Sequence, residues 1–183
     1  MAQSKIEWTE KVWNPTVGCD KISAGCKFCY AEAFAQRLKA MGMKDYQNGF
    51  QFTLLPHRLE EPLKIQKATK FFVNSMSDLF HEEMPFEYLD RIMDVIQKTP
   101  QHIYQILTKR DEIMCNYFKN KKIPDNIWIG VSVENATFKK RIDSLRKVDA
   151  KVRFISFEPL IGSVGELNLK GIHWAIVGGG VRS

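Results

Sequence analysis

A chain of 183 residues is the length of one domain, and at that size about 70% of the unfolded surface can be buried without disulfides. Its 44% hydrophobic, 26% charged and 11% aromatic content excludes wholesale disorder, collagen and coiled coil. The net charge of +6 leans toward anionic partners but lacks the clustered excess of a dedicated nucleic-acid binder.

In chain order, the first strand is predicted from Val12 to Val17, weakened by Pro15. A cysteine-bearing loop follows and runs into an amphipathic helix whose apolar stripe is Tyr30, Phe34, Leu38 and Met41. From Met43 to Lys67 the pattern is poorest, which predicts an inserted excursion with a short strand at Phe50 to Leu54. Five more strands are predicted at Lys70 to Met76, His102 to Thr108, Ile127 to Val133, Val152 to Phe157 and His173 to Val177. The later ones are continuous apolar runs, as expected when both faces are buried.

Between these strands lie further helices. One carries Phe86, Leu89, Ile92, Met93 and Ile96, opened by Pro85 and closed before Pro100. A shorter one spans about Asp111 to Lys119. The last carries Phe138, Ile142, Leu145 and Val148, with Lys139, Lys140, Arg141, Arg146 and Lys147 reading as a solvated face. Six βα-type strands are too few for a closed eight-stranded barrel of about 250 residues. The expected fold is α/β, one domain over residues 1–183, a partial (β/α)6 TIM-like barrel of about six parallel strands, with a doubly wound sheet as the alternative. Either architecture puts the ligand site at the carboxyl ends of the strands.

No stretch free of Asp, Glu, Lys and Arg approaches the roughly 18 residues that span a bilayer. Lys5, Glu7, Glu10 and Lys11 also stand where a signal peptide needs an apolar run. A cytoplasmic protein with no membrane partner is expected, so its four cysteines point to metal or redox chemistry rather than disulfides. Cys19, Cys26 and Cys29 are spaced C-x6-C-x2-C on the loop that enters the first helix, whose N-terminal dipole favours thiolates. Gly18 and Gly25 let the backbone fold around a metal centre. Zinc sites close with four protein ligands, whereas three cysteines on an iron–sulfur cluster leave one iron open. Three readings stand: a three-ligand iron–sulfur cluster, zinc completed by a histidine or Cys115, and uncoordinated thiols. Cys115 reads as a small buried hydrophobe. The histidines show no ligand spacing among themselves, and His81, just after the second core strand, is the one placed to reach the site.

Several further motifs accompany the triplet. They are Ile6-Glu7-Trp8-Thr9, Trp13-Asn14-Pro15, Tyr30-Ala31-Glu32 and Asn74-Ser75-Met76-Ser77-Asp78-Leu79-Phe80. Leu107-Thr108-Lys109-Arg110, Gly130-Val131-Ser132-Val133-Glu134-Asn135 and Phe157-Glu158-Pro159-Leu160 follow at later strand ends. With these the chain resembles the phage and bacterial three-Cys-motif family, itself similar to radical S-adenosylmethionine (SAM) enzymes. The resemblance implies a radical-SAM partial barrel with a [4Fe–4S] cluster on Cys19, Cys26 and Cys29 and SAM at the open iron. It places Phe28 against the adenine and Ser75, Ser77 and Asp78 near the SAM amino group, with Ser132, Asn135 and Glu158 as further cofactor contacts. Lys109 and Glu134 are expected to serve catalysis as contacts to SAM or substrate and not as iron ligands; Lys109 and Arg110 together could bind a carboxylate or phosphate.

Two departures from the family matter. The first cysteine gap is six residues where radical-SAM enzymes usually have three. The chain also has Gly178-Gly179-Gly180-Val181 and ends at Ser183, where relatives continue through Gly-Gly-Glu-Ser-Gly. C-terminal truncation or loss of an acidic contact is therefore expected.

The leading functional expectation is an iron–sulfur enzyme that generates a 5′-deoxyadenosyl radical, fed by an electron-donor protein, to modify a nucleic-acid base or nucleotide. The alternative is a non-catalytic zinc or iron–sulfur binding module that recognises nucleic acid or a partner protein.

Overall fold

The computed structural model describes residues 6–27 and 29–179. Six strands form one parallel sheet: β1 (Lys11–Trp13), β4 (Lys70–Val73), β5 (Ile103–Thr108), β6 (Ile127–Ser132), β7 (Val152–Leu160) and β8 (Trp174–Gly179), adjacent in that order. The register runs Val12 to Phe72, Phe72 to Gln105, Gln105 to Trp128, and Ile155 to Ala175, with every pairing parallel. This is the α/β partial barrel expected from the strand count. Among the described residues β1 and β8 do not pair, so the barrel is not closed.

The predicted first strand is divided. Pro15 lacks an amide hydrogen to continue the ladder. The chain leaves the sheet after Trp13 and makes β2 (Thr16–Val17), which pairs antiparallel with β3 (Thr53–Leu54) from the excursion. This two-stranded ribbon carries the cysteine loop. Gly18 bridges to Ser77, and its amide donates to the Met76 carbonyl at 2.9 Å. Gly18 sits at φ 82°, and a Cβ there would collide with the Gln51 carbonyl, so glycine is required twice over.

Alternation along the strands sorts side chains to two faces. Phe71, Val73, Tyr104, Ile106, Ile127, Ile129, Val131, Ile155 and Phe157 belong to the main core with the helices. Helix α2 (Phe86–Gln97) adds Leu89, Ile92, Met93 and Ile96, α3 (Asp111–Phe118) adds Met114 and Tyr117, and α4 (Lys140–Arg146) adds Ile142 and Leu145. Each such side chain contributes about 1.5–3 kcal/mol on burial. On the other face Trp174 meets Trp8, Trp128 and Phe154 at ring separations of 5.9, 6.0 and 5.2 Å.

Helix α1 (Tyr30–Ala40) corrects a sequence expectation. Its large apolar residues Tyr30, Phe34 and Met41 are exposed, and Ala31 and Ala35 are buried against Val17, Tyr46, Leu55 and Met76. Leu38, also in the expected stripe, does pack against this cluster and is partly buried. Phe86, at the start of the α2 stripe, is exposed too. A second correction concerns the basic cluster from 139 to 147. Arg141 is not on a solvated face but 4% exposed, one turn before Leu145 on the core side of α4.

Candidate functional site

The loop from Gly18 to Lys27 lies over the carboxyl ends of β4, β5 and β6 and is fastened to each of them. At β4, Asp78 and His81 approach it. Asp78 is buried and accepts from the Phe80 amide at 3.0 Å, the Thr108 hydroxyl at 2.7 Å, the Lys109 amide at 3.0 Å and Arg110 at 3.3 Å, tying the β4 end to the β5 end. His81, 1% exposed, stacks on Phe52 with ring centroids 4.2 Å apart. Its Nδ1 accepts from the Glu83 amide, and its Nε2 lies 3.3 Å from the Asp20 carboxylate, out of line for a hydrogen bond. Burial and the nearby Arg110 charge, against the pull of Glu82 and Asp20, hold the imidazole pKa below its ordinary value.

At β5, Arg110 is 5% exposed and donates to four acceptors: Cys19 Sγ, the Asp20 carbonyl and Asp78, each at 3.3 Å, and Glu82 at 2.6 Å. Four of its five N–H groups are thus engaged within the protein, so most of its hydrogen-bonding capacity serves the loop and the strand ends and not a ligand. Lys109 is half-buried, and its charge is felt at Cys26.

At β6, Glu134 is fully buried and accepts from the Ser23 hydroxyl at 2.5 Å and from Arg141 at 2.8 Å. Arg141 also donates to the Ser132 carbonyl at 2.9 Å. Ser23 in turn contacts Cys26 Sγ at 3.4 Å. The chain of contacts thus runs from Arg141 through Glu134 and Ser23 to a cysteine. Gly25 packs flat on Glu134, where a Cβ would lie 2.5 Å from Glu134 Cγ.

The thiols differ in their surroundings. Burial pushes Cys19 up to about 11 in spite of the opposing Arg110 charge. For Cys26 burial is outweighed by its contacts with Ser23 and the loop backbone and by the Lys109 charge, so its pKa falls below the ordinary thiol value. Cys29 takes the N-cap position of α1. Cys115 stands apart on α3, donating to the Ser144 carbonyl at 3.2 Å and packing against the main core.

Other expected residues divide into those that face the loop and those that do not. Ser77 shares a 2.7 Å hydrogen bond with Thr16, beneath the bridge at Gly18. Ser75 donates to Asn14, and its carbonyl accepts from the Tyr30 hydroxyl at 2.6 Å. Glu158, near the end of β7, accepts from Ser156 at 3.2 Å, lies against Gly178, and its charge reaches Tyr30. The Ser132 side chain is buried at the end of β6. Asn135 turns away, its carboxamide oxygen accepting from the Thr137 amide at 2.9 Å to cap the 3-10 turn Ala136–Phe138. Phe28 lies outside the described residues. Sequence reasoning missed Ser23 and the inward role of Arg141. The signal for Arg141 was its spacing of three from Phe138 and four to Leu145, which puts it on the apolar face.

The donor set fits an iron–sulfur cluster chemically: three thiols on one loop, an N–H donor on Cys19 Sγ and a lysine charge near Cys26. Among the described residues no three His, Cys, Asp or Glu side chains are arranged to hold a single metal ion. A four-iron cluster makes a different demand, because each thiolate binds its own iron.

A family model described as "Protein of unknown function (DUF5131)" matches residues 3–181. Three solved structures of spore photoproduct lyase are similar in fold. A mutant with one cysteine replaced by serine aligns at 15% identity with a TM-score of 0.59. A double mutant with bound AdoMet and dinucleoside spore photoproduct aligns at 13% and 0.60. A complex with the dinucleoside spore photoproduct aligns at 13% and 0.56. Each match covers 86% of this chain and 48% of the other, so the chain spans about half the length of these neighbours. The chain matches no curated protein.

Proposed function

Because the chain belongs to the DUF5131 family and carries a three-thiol loop over a parallel partial barrel, we propose that it is a radical SAM enzyme acting on a nucleic-acid base or nucleotide. The observation that carries the reading is the fastening of that loop to three successive strand ends, by a backbone hydrogen bond from Gly18 to Met76 beyond β4 and by the buried Arg110 and Glu134 side chains at β5 and β6. Such buried polar groups are costly to assemble unless they hold something in place. Membership of the phage and bacterial three-Cys-motif group, a cytoplasmic setting, a single working domain and an electron-donor protein partner all belong to this reading.

In it Cys19, Cys26 and Cys29 hold a [4Fe–4S] cluster and leave one iron for SAM. When bound, the cluster supplies an electron and SAM the 5′-deoxyadenosyl radical that takes hydrogen from the substrate. The chain's own residues bind, orient and exclude water. Asp78 fixes the β4 and β5 ends, so the Ser75 and Ser77 segment presents a rigid edge to the SAM amino group. Lys109 offers its ammonium to the SAM carboxylate. Glu134 works through Ser23 on the cysteine loop, and Glu158 accepts from a nucleoside hydroxyl. Phe28 packs on the adenine, while Ser132 and Asn135 shape the β6 end through a buried side chain and a turn cap. A nucleotide substrate is favoured by the chain's net positive charge and by the dinucleoside bound in a neighbour of the same fold.

Anaerobic reconstitution with iron and sulfide, followed by SAM and a reductant, tests the reading. The wild-type protein should release 5′-deoxyadenosine, Cys115→Ala should match it, and Cys26→Ala should release none. SAM cleavage unaffected by Cys26→Ala would overturn it.

A further inference from the structure

We propose that Arg110 sets the electron affinity of the metal centre on the cysteine loop by donating to the Cys19 sulfur, an inference that rests on the radical SAM reading above. Arg110 is a buried guanidinium whose four acceptors lie in different directions: a thiol sulfur, a loop carbonyl, a buried carboxylate and a half-exposed one. Lysine offers no such planar fork, so the position asks for arginine's geometry as well as its charge. An N–H bond to a ligand sulfur draws electron density from the thiolate, and a fixed positive charge at hydrogen-bond distance favours the state that carries an extra electron.

The counter-charges are arranged unequally. Asp78 accepts from three donors besides Arg110, and at 6% exposure it is part of the fixed frame. Glu82 holds Arg110 at 2.6 Å with its side chain 53% exposed. Glu82 therefore offsets the arginine's charge without being needed to hold the strand ends together. The role is that of a positioning residue, because Arg110 acts through Cys19 and contacts no reacting atom.

The two members of this pair should move the centre in opposite directions. In the anaerobically reconstituted protein, Arg110→Gln should lower the ratio of reduced to oxidised cluster at one fixed solution potential about tenfold. Glu82→Gln should raise that ratio. A purely structural part for Arg110 gives no such ordered signs, only loss of bound iron. In metal-free protein, Arg110→Gln should also slow alkylation of Cys19, whose reactive thiolate loses its cationic donor, as followed by peptide mass spectrometry, and leave Cys115 unchanged. If Arg110→Gln takes up no cluster, Glu82→Gln decides, and an unchanged or lowered ratio there overturns the inference. A wild-type chain that assembles no cluster overturns the radical SAM reading and this inference with it. A cluster whose potential ignores both substitutions overturns this inference alone.

Discussion

Gly25 lies against Glu134 so closely that a methyl group on Gly25 would sit 2.5 Å from Glu134 Cγ and 2.8 Å from Oε1, the oxygen that accepts from Ser23. A residue of the cysteine loop and a buried carboxylate at the β6 end are thereby fitted to one another. Gly25→Ala must displace Glu134 or lift the loop, and overpacking of this kind costs about 1–3 kcal/mol. Iron bound after reconstitution should fall in Gly25→Ala, while the thermal midpoint drops by only a few degrees. Wild-type iron content in this variant would show that the contact does not position the loop.

Removing the carboxylate itself should be more severe. Glu134→Ala leaves Arg141 buried with the Ser132 carbonyl at 2.9 Å, Asp111 at 3.8 Å and the Phe138 ring face at 4.2 Å as its remaining partners. Breaking one side of a buried pair costs about 3–5 kcal/mol, so the urea midpoint should shift far more than in Gly25→Ala. Glu134 and Arg141 replaced together by an apolar pair of similar volume should recover much of that loss. A double variant no more stable than Glu134→Ala would contradict the pairing.

The sheet was legible because its strands are short runs of β-branched and aromatic residues separated by helical periods, and parallel order follows from the crossovers between them. Strand ends were read a residue or more from their positions: β6 stops at Ser132, and β7 continues to Leu160. The cysteine loop was legible from spacing alone. The face of α1 was not, since a period of 3.6 marks a stripe without saying which neighbour covers it: Tyr30 and Phe34 are exposed, while Ala31 and Ala35 are buried with Leu38 packed beside them. The fastening of the loop was hidden for another reason. Ser23 and Arg110 are polar residues whose partners lie 111 and 91 residues away, and nothing local marks such pairs.

That inverted face gives a direct test. Ala35 is 0% exposed and Phe34 47% exposed. Ala35→Leu should destabilise by about 1–3 kcal/mol through overpacking. Phe34→Ser should stay within about 0.5 kcal/mol, the usual range for surface positions. Chemical denaturation of the two variants checks it, and the reverse order would put the apolar stripe back against the core.

Acid should weaken one contact between α2 and α3. Asp90 accepts from Lys121 and, at 2.6 Å, from the Tyr117 hydroxyl, and these bonds, the lysine first, hold its carboxyl below the usual range. A depressed folded pKa stabilises above the unfolded value of about 4 and loses that contribution as pH falls through the folded value. The stability gap between wild type and Asp90→Asn should thus be present at about pH 7 and shrink below about pH 4. Urea midpoints at several pH values measure it, and a gap independent of pH would contradict the assignment.

The most direct measurement of the central claim is the low-temperature electron paramagnetic resonance spectrum of the reduced, anaerobically reconstituted protein before and after addition of SAM. A [4Fe–4S] centre on Cys19, Cys26 and Cys29 with one open iron should give a cluster signal whose shape changes when SAM binds, and Cys29→Ala should lose the signal altogether. A cluster signal indifferent to SAM, or one zinc and no iron in the wild-type protein, would contradict the account.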